Sequence, residues 1–139
     1  MENKPYILPY TGPDHPKGIS PTISPKAFIA PGSAIIGDVE IGEDTGIWFG
    51  CVVRGDVHYI KIGKRTNIQD GAIIHCTHQK AFTEIGDNVS IAHLAMIHGC
   101  IIEDNCLVGM QAIIMDGAHI GEGSIVGAGA IVTQGMQIP

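Results

Sequence analysis

Residues 29–58, written in blocks of six, read IAPGSA IIGDVE IGEDTG IWFGCV VRGDVH, and an Ile or Val opens every block. Extending the register outward gives openers at Ile23, Ile29, Ile35, Ile41, Ile47 and Val53, then at Ile62, Ile68 and Ile74. Past a second break come Ile85, Ile91, Ile97, Ile102, Val108, Ile114, Ile120, Val126 and Val132. Four residues after the opener stands Ala, Ser, Thr, Cys or Val in fifteen of the eighteen blocks, the exceptions being His78, Ile101 and Met136. A period of six belongs neither to a plain strand nor to a helix. It fits a solenoid of short parallel strands that turns every six residues. The opener points into a narrow lumen, the small residue fills a corner, and Gly- and Asp-rich pairs make the turns.

Composition agrees with that reading. Apolar residues make up 45% of the 139, yet aromatics only 5%, so the core must be built from small and branched aliphatics. The β-branched openers suit strands, and stacked identical positions form ladders that leave no room for rings. A formal charge of −6 without a basic run argues against nucleic acid or an anionic membrane as partner. No apolar stretch reaches membrane-spanning length, and the opening residues carry no apolar signal region, so neither a span nor a signal peptide is expected. The four cysteines (51, 76, 100, 106) form no CxxC pair; reduced thiols in a cytoplasm are the expected state, with Cys51 and Cys106 in the core.

The blocks resemble those of the hexapeptide-repeat proteins. The resemblance implies an all-β fold, a left-handed parallel β-helix with three blocks per triangular coil and about six coils. Residues 1–22 then form an N-terminal arm and 23–139 the β-helix domain. Two interruptions stand out. Three residues are extra between Val53 and Ile62, and five between Ile74 and Ile85, where a loop at about 78–84 leaves the scaffold. Loops on a rigid scaffold are where sites are often built.

Four of the seven histidines, at 75, 78, 93 and 98, cluster around that loop. With three blocks per coil, His75 and His98 are both second in their blocks and fall in one column, about 4.8 Å apart. Arg54 lies one coil below His75 in the same column. His93 is third in its block on the preceding face, with Asp70 beneath it and Gln69 beside Asp70. Three readings stand side by side: metal ligands, a catalytic base without metal, or outward polar positions with no special role. A metal between His75 and His98 needs His93 from elsewhere, and a neighbouring chain of a homotrimer can supply it.

Five short motifs, VRGD at 53–56, NIQD at 67–70, IIH at 73–75, SIAH at 90–93 and MIHG at 96–99, resemble the γ-class carbonic anhydrases and their bacterial relatives over roughly residues 23–135. That resemblance implies a homotrimer with a metal site at each interface, His75 and His98 coming from one chain and His93 from its neighbour. It implies Zn²⁺, with Fe²⁺ or Co²⁺ as alternatives, and the reversible hydration of CO₂ to bicarbonate by a metal-bound hydroxide. Gln69 and Asn67 match the polar residues that orient bound water or substrate. Arg54, Asp56 and Asp70 match the charged residues that order the site between chains.

The match departs from the archaeal prototype at two glutamates. Val57 follows Asp56, and the loop carries His78, Gln79 and Lys80. His78 is left as the candidate proton carrier. The C-terminal helix that the resemblance implies is absent from these residues. Two alternatives stay open: an acyl-CoA-dependent acyltransferase using one histidine as base, and a non-catalytic trimeric metal-binding protein. Cys76 reads as a neutral outward thiol, and His58 and His119 as turn residues. Trp48 is expected under the arm segment YILPY or at a subunit interface, with Met110 and Met115 filling interface gaps.

Overall fold

The computed structural model describes residues 3–139. The described residues form no helix, and hence none long and apolar enough to cross a membrane. They fold as a parallel β-solenoid, a left-handed β-helix of about six coils. The openers stack in three ladders, one for each face of the triangle. The first runs Ile35, Val53, Ile74, Ile97, Ile114, Val132. The second runs Ile23, Ile41, Ile62, Ile85, Ile102, Ile120, Ile138. The third runs Ile29, Ile47, Ile68, Ile91, Val108, Val126. Sixteen of the eighteen predicted openers are buried, and Ile23 and Ile29 at the first coil are half-buried. Burying an Ile or Val side chain fully is worth about 1.5–3 kcal/mol, so the ladders supply the bulk of the driving force. Ala72, Ala95, Ala112 and Cys51 fill the corner beside them.

The two interruptions are absorbed differently. The three extra residues before Ile62 make no loop. Val52–Ile62 is one continuous strand that rounds a corner beside Ala34–Ile41, with a register shift between Gly37 and Val39. Gly37 and Gly55 pass so closely there that a Cβ on Gly37 would strike the Gly55 carbonyl. The five extra residues do form a loop. It leaves after His75, closes through Thr77 and Ala81, and rejoins at the strand Thr83–Ile85, slightly earlier than expected. Within the arm, Tyr6–Leu8 lies parallel to Ala34–Ile36, and Tyr10–Gly12 pairs antiparallel with His15–Ile19.

Several single-residue expectations change. Cys76 is not outward but buried at 1% exposure: the strand ends at His75, and the thiol of the next residue donates to the His58 carbonyl at 3.2 Å. His58 lies inside the strand Val52–Ile62 and His119 inside His119–Ile120, neither in a turn. Trp48 packs on Phe28 with ring centroids 5.1 Å apart and planes inclined by 52°, on the face away from the arm strand, so only the arm half of its expectation changes.

Candidate metal centre

Along a strand successive side chains alternate, so an inward opener forces the next residue outward. In Ile73–His75 and Met96–His98 this buries Ile74 against Ile97 and sets His75 beside His98 as direct register partners. Val53 pairs with Ile74 one coil below, which puts Arg54 next in the column. His75 Nδ1 and His98 Nε2 stand 3.2 Å apart, with ring centroids at 5.1 Å and planes inclined by 73°.

Each ring's outer nitrogen is committed to a carboxylate. His75 Nε2–H donates to Asp56 Oδ1 at 2.8 Å, and Arg54 ion-pairs with Asp56 Oδ2. His98 Nδ1–H donates to Asp116 Oδ1 at 2.6 Å, while Thr77 Oγ1 donates to Asp116 Oδ2 at 2.5 Å. Burial pushes the Asp56 carboxyl up, but the hydrogen bonds and charges of His75 and Arg54 outweigh it and hold the group below the usual carboxylate range. Asp116 behaves alike: burial raises it, and the Thr77 and His98 hydrogen bonds with the charges of both histidines carry it lower. Ionised carboxylates only accept, so both outer nitrogens carry hydrogen. The two inner nitrogens are left to share at most one proton.

That donor set fits a divalent cation. Two imidazole ligands of a tetrahedral Zn²⁺ sit about 3.3 Å apart, close to the 3.2 Å found here. A ligating histidine almost always gives its other N–H to a carboxylate or carbonyl, as both rings do. Within one chain, among the described residues, no three His, Cys, Asp or Glu side chains converge to hold a metal ion. Within this chain the pair therefore offers a cation two nitrogen donors.

The other predicted residues are placed as follows. His93 is on the adjacent six-stranded face, 49% exposed, with Nδ1 3.4 Å from Asp70 Oδ1, as their shared column requires. Asn67 Oδ1 accepts the Trp48 indole N–H at 2.6 Å, and its amide nitrogen finds no hydrogen-bond partner among the described residues. The Gln69 amide finds no hydrogen-bond partner among the described residues, and its backbone carbonyl takes the Cys51 thiol. His78 pairs with Asp14 of the arm at 3.0 Å and does not touch the histidine pair. Asp116 and Thr77 were missed. Asp116 is third in the Ile114 block, one coil beyond His98 and one residue on, and that offset was the available signal.

The family model described as "Bacterial transferase hexapeptide (six repeats)" matches residues 20–55, 82–114 and 99–134. The chain is 47% identical over 103 residues to "Gamma carbonic anhydrase 2, mitochondrial" of Arabidopsis thaliana, covering 70% of this chain and 37% of that one. To "Carbonic anhydrase" of Geobacillus kaustophilus it is 47% identical over 112 residues, covering 81% and 58%. A solved hexapeptide transferase family protein from Anaplasma phagocytophilum superposes with a TM-score of 0.87 at 41% identity, covering 99% of this chain and 75% of that one. The chain spans less than two thirds of the length of these curated relatives. It belongs to the hexapeptide-repeat family and, within it, to the group of proteins like the γ-class carbonic anhydrases.

Proposed function

We propose that the chain forms a homotrimer in which each interface holds a divalent cation between His75 and His98 of one subunit and His93 of the next. The assembly then hydrates CO₂ reversibly to bicarbonate. Zn²⁺ is the first choice of ion, with Fe²⁺ or Co²⁺ as alternatives. One observation carries the reading: two imidazoles with their outer nitrogens tied to Asp56 and Asp116 and their inner nitrogens 3.2 Å apart. Support comes from His93, solvent-exposed on the adjacent face, and from the apolar side chains exposed near it, Phe49, Leu94 and Met110. The carbonic anhydrases among the relatives supply the reaction.

A cation held by three histidines supplies a Lewis acid that brings the acidity of water towards neutral pH. The chain's own groups do the rest. Asp56 and Asp116 keep hydrogen on the outer nitrogens and lone pairs on the inner ones. Arg54 anchors Asp56, and Asp70 aims His93 from its own chain. The free Gln69 amide and the Asn67 amide nitrogen orient water or substrate. His78, on the loop, is the carrier of the released proton through Nδ1, since its Nε2–H is given to Asp14 at 3.0 Å. Four unpaired, buried thiols support a reducing cytoplasm as the compartment.

Metal analysis after metal-replete expression tests the site, and stopped-flow CO₂ hydration tests the reaction. Near-stoichiometric metal that His93→Ala removes is the expected result; unaltered stoichiometry in that variant would refute the shared ligand set. The family's solved transferase member keeps a second reading in view, acyl transfer from a thioester. Turnover of acetyl-CoA by metal-stripped protein would favour it.

A further inference from the structure

None of the five motifs contains Asp116, yet its carboxylate is fully employed. Oδ1 accepts from His98 Nδ1 at 2.6 Å and Oδ2 accepts from Thr77 Oγ1 at 2.5 Å. Asp116 sits on the turn after the strand Ile113–Ile114, one coil beyond His98, and the Gly117 amide donates to the Gly99 carbonyl at 2.7 Å. Thr77 opens the inserted loop and is fixed by two backbone bonds with Ala81, at 2.9 and 3.1 Å. Both ends of the tether are thus held by backbone, not by mobile side chains.

A histidine ring without an outer partner flips and exchanges tautomers, so either nitrogen can carry the hydrogen. Asp116 removes that freedom at His98. Turning the ring over would put Cδ2–H against the anion in place of Nδ1–H, and moving the hydrogen to Nε2 would put a lone pair there; either change breaks a short charge-assisted bond. Turning Asp116 instead would break its bond to Thr77. Asp56, anchored by Arg54, does the same for His75 from the opposite end of the column.

We propose that Asp116, braced by the loop residue Thr77, is a positioning residue that fixes the tautomer and ring angle of His98 so that Nε2 is presented to the cation. The inserted loop is then part of the metal centre's support, even though it contributes no ligand. This rests on the metal reading given above.

The test uses the full chain with Co²⁺ and Zn²⁺, affinity being measured by competition with a chromophoric chelator. Asp116→Asn is expected to weaken Co²⁺ affinity about 10–100-fold, the usual cost of losing a ligand's outer partner. Thr77→Val moves in the same direction by less, and Thr77→Ser, which keeps the hydroxyl, restores binding. Imidazole-nitrogen NMR of the metal-free protein reads the effect without metal: His98 is a single Nδ1–H form in the parent and a mixture in Asp116→Asn. If His98→Ala binds Co²⁺ as well as the parent, both the metal reading and this proposal fall. If His98→Ala abolishes binding but Asp116→Asn leaves affinity and tautomer unchanged, the proposal alone is overturned. Thr77→Val exchanges hydroxyl for methyl at nearly the same shape and Thr77→Ser keeps the hydroxyl, so the two decide the matter even if Asp116→Asn folds poorly.

Discussion

Cys76 and Cys100 are both 1% exposed, and burial pushes their thiols up to about 11 and about 12. The thiolate is the reactive form, so neither group should act as nucleophile or ligand near neutral pH. Cys51 and Cys106 are likewise buried and raised by desolvation. A chromogenic disulfide reagent is expected to find no reactive thiol in the native protein and four in denaturant; rapid native reaction of one thiol would overturn the inward placement of Cys76. Tyr59 is governed by similar forces. Burial, then the hydrogen bond and charge of Glu84 at 2.8 Å, push its phenol up to about 12. Because the folded value lies above the unfolded value of about 10, its contribution is complete below that pH and is lost as pH rises towards 12. Denaturation midpoints should therefore fall more steeply above pH 10 in the parent than in Tyr59→Phe. Equal slopes would show that burial and Glu84 together do not raise the phenol.

The corner Asp70–Ala72, His93–Ala95 and Met110–Ala112 is where one face passes to the next, and one residue in each copy takes a left-handed conformation. Gly71 fills that position in one coil at φ 75°, but Leu94 fills it in the next at 61° and Gln111 at 58°. A leucine there costs roughly 1–2 kcal/mol and is 59% exposed, so intrachain packing does not explain it. In the proposed trimer, contact with a neighbouring subunit beside His93 would account for it. Leu94→Gly is expected to leave the subunit as stable or more so, by up to about 1 kcal/mol, while shifting sedimentation towards monomer. Lower stability with unchanged assembly would contradict this. The same corner shows what a linear reading reaches. Ladders and the His75–His98 column were legible because both depend only on counting in sixes along strands that keep register. Asp116 and Thr77 were not, because their contact joins a third-position residue on one coil to a loop whose path obeys no period. Cys76 differs for a related reason: the chain leaves the strand at His75 and its thiol meets the His58 carbonyl, in the stretch lengthened by three extra residues, which the six-residue count does not follow.

A β-helix is stiff along its axis, so a site spread over two faces of one subunit cannot close by bending. His93 and the His75–His98 pair belong to different faces of the same coils, and side chains standing off adjoining faces of a triangle diverge. The proposed cyclic trimer would resolve this, because rotation would set His93 of one subunit against the histidine pair of the next and repeat that junction at each interface. Under that proposal the ligands would obey a rule that no single-chain site obeys: every centre would need a functional pair from one subunit and a functional His93 from another. His75→Ala and His93→Ala each destroy all centres in a pure assembly. Unfolded together and refolded as a mixture, they form hybrids in which a His93→Ala subunit supplies the intact pair and a His75→Ala neighbour supplies His93. Random mixing in equal amounts makes about one interface in four complete, so about a quarter of the parent's metal capacity should return. Each variant refolded alone should bind none. A mixture that stays metal-free while forming trimers would mean that His93 is no ligand across the interface, and metal retained by His93→Ala alone would mean that the pair completes its site within one chain.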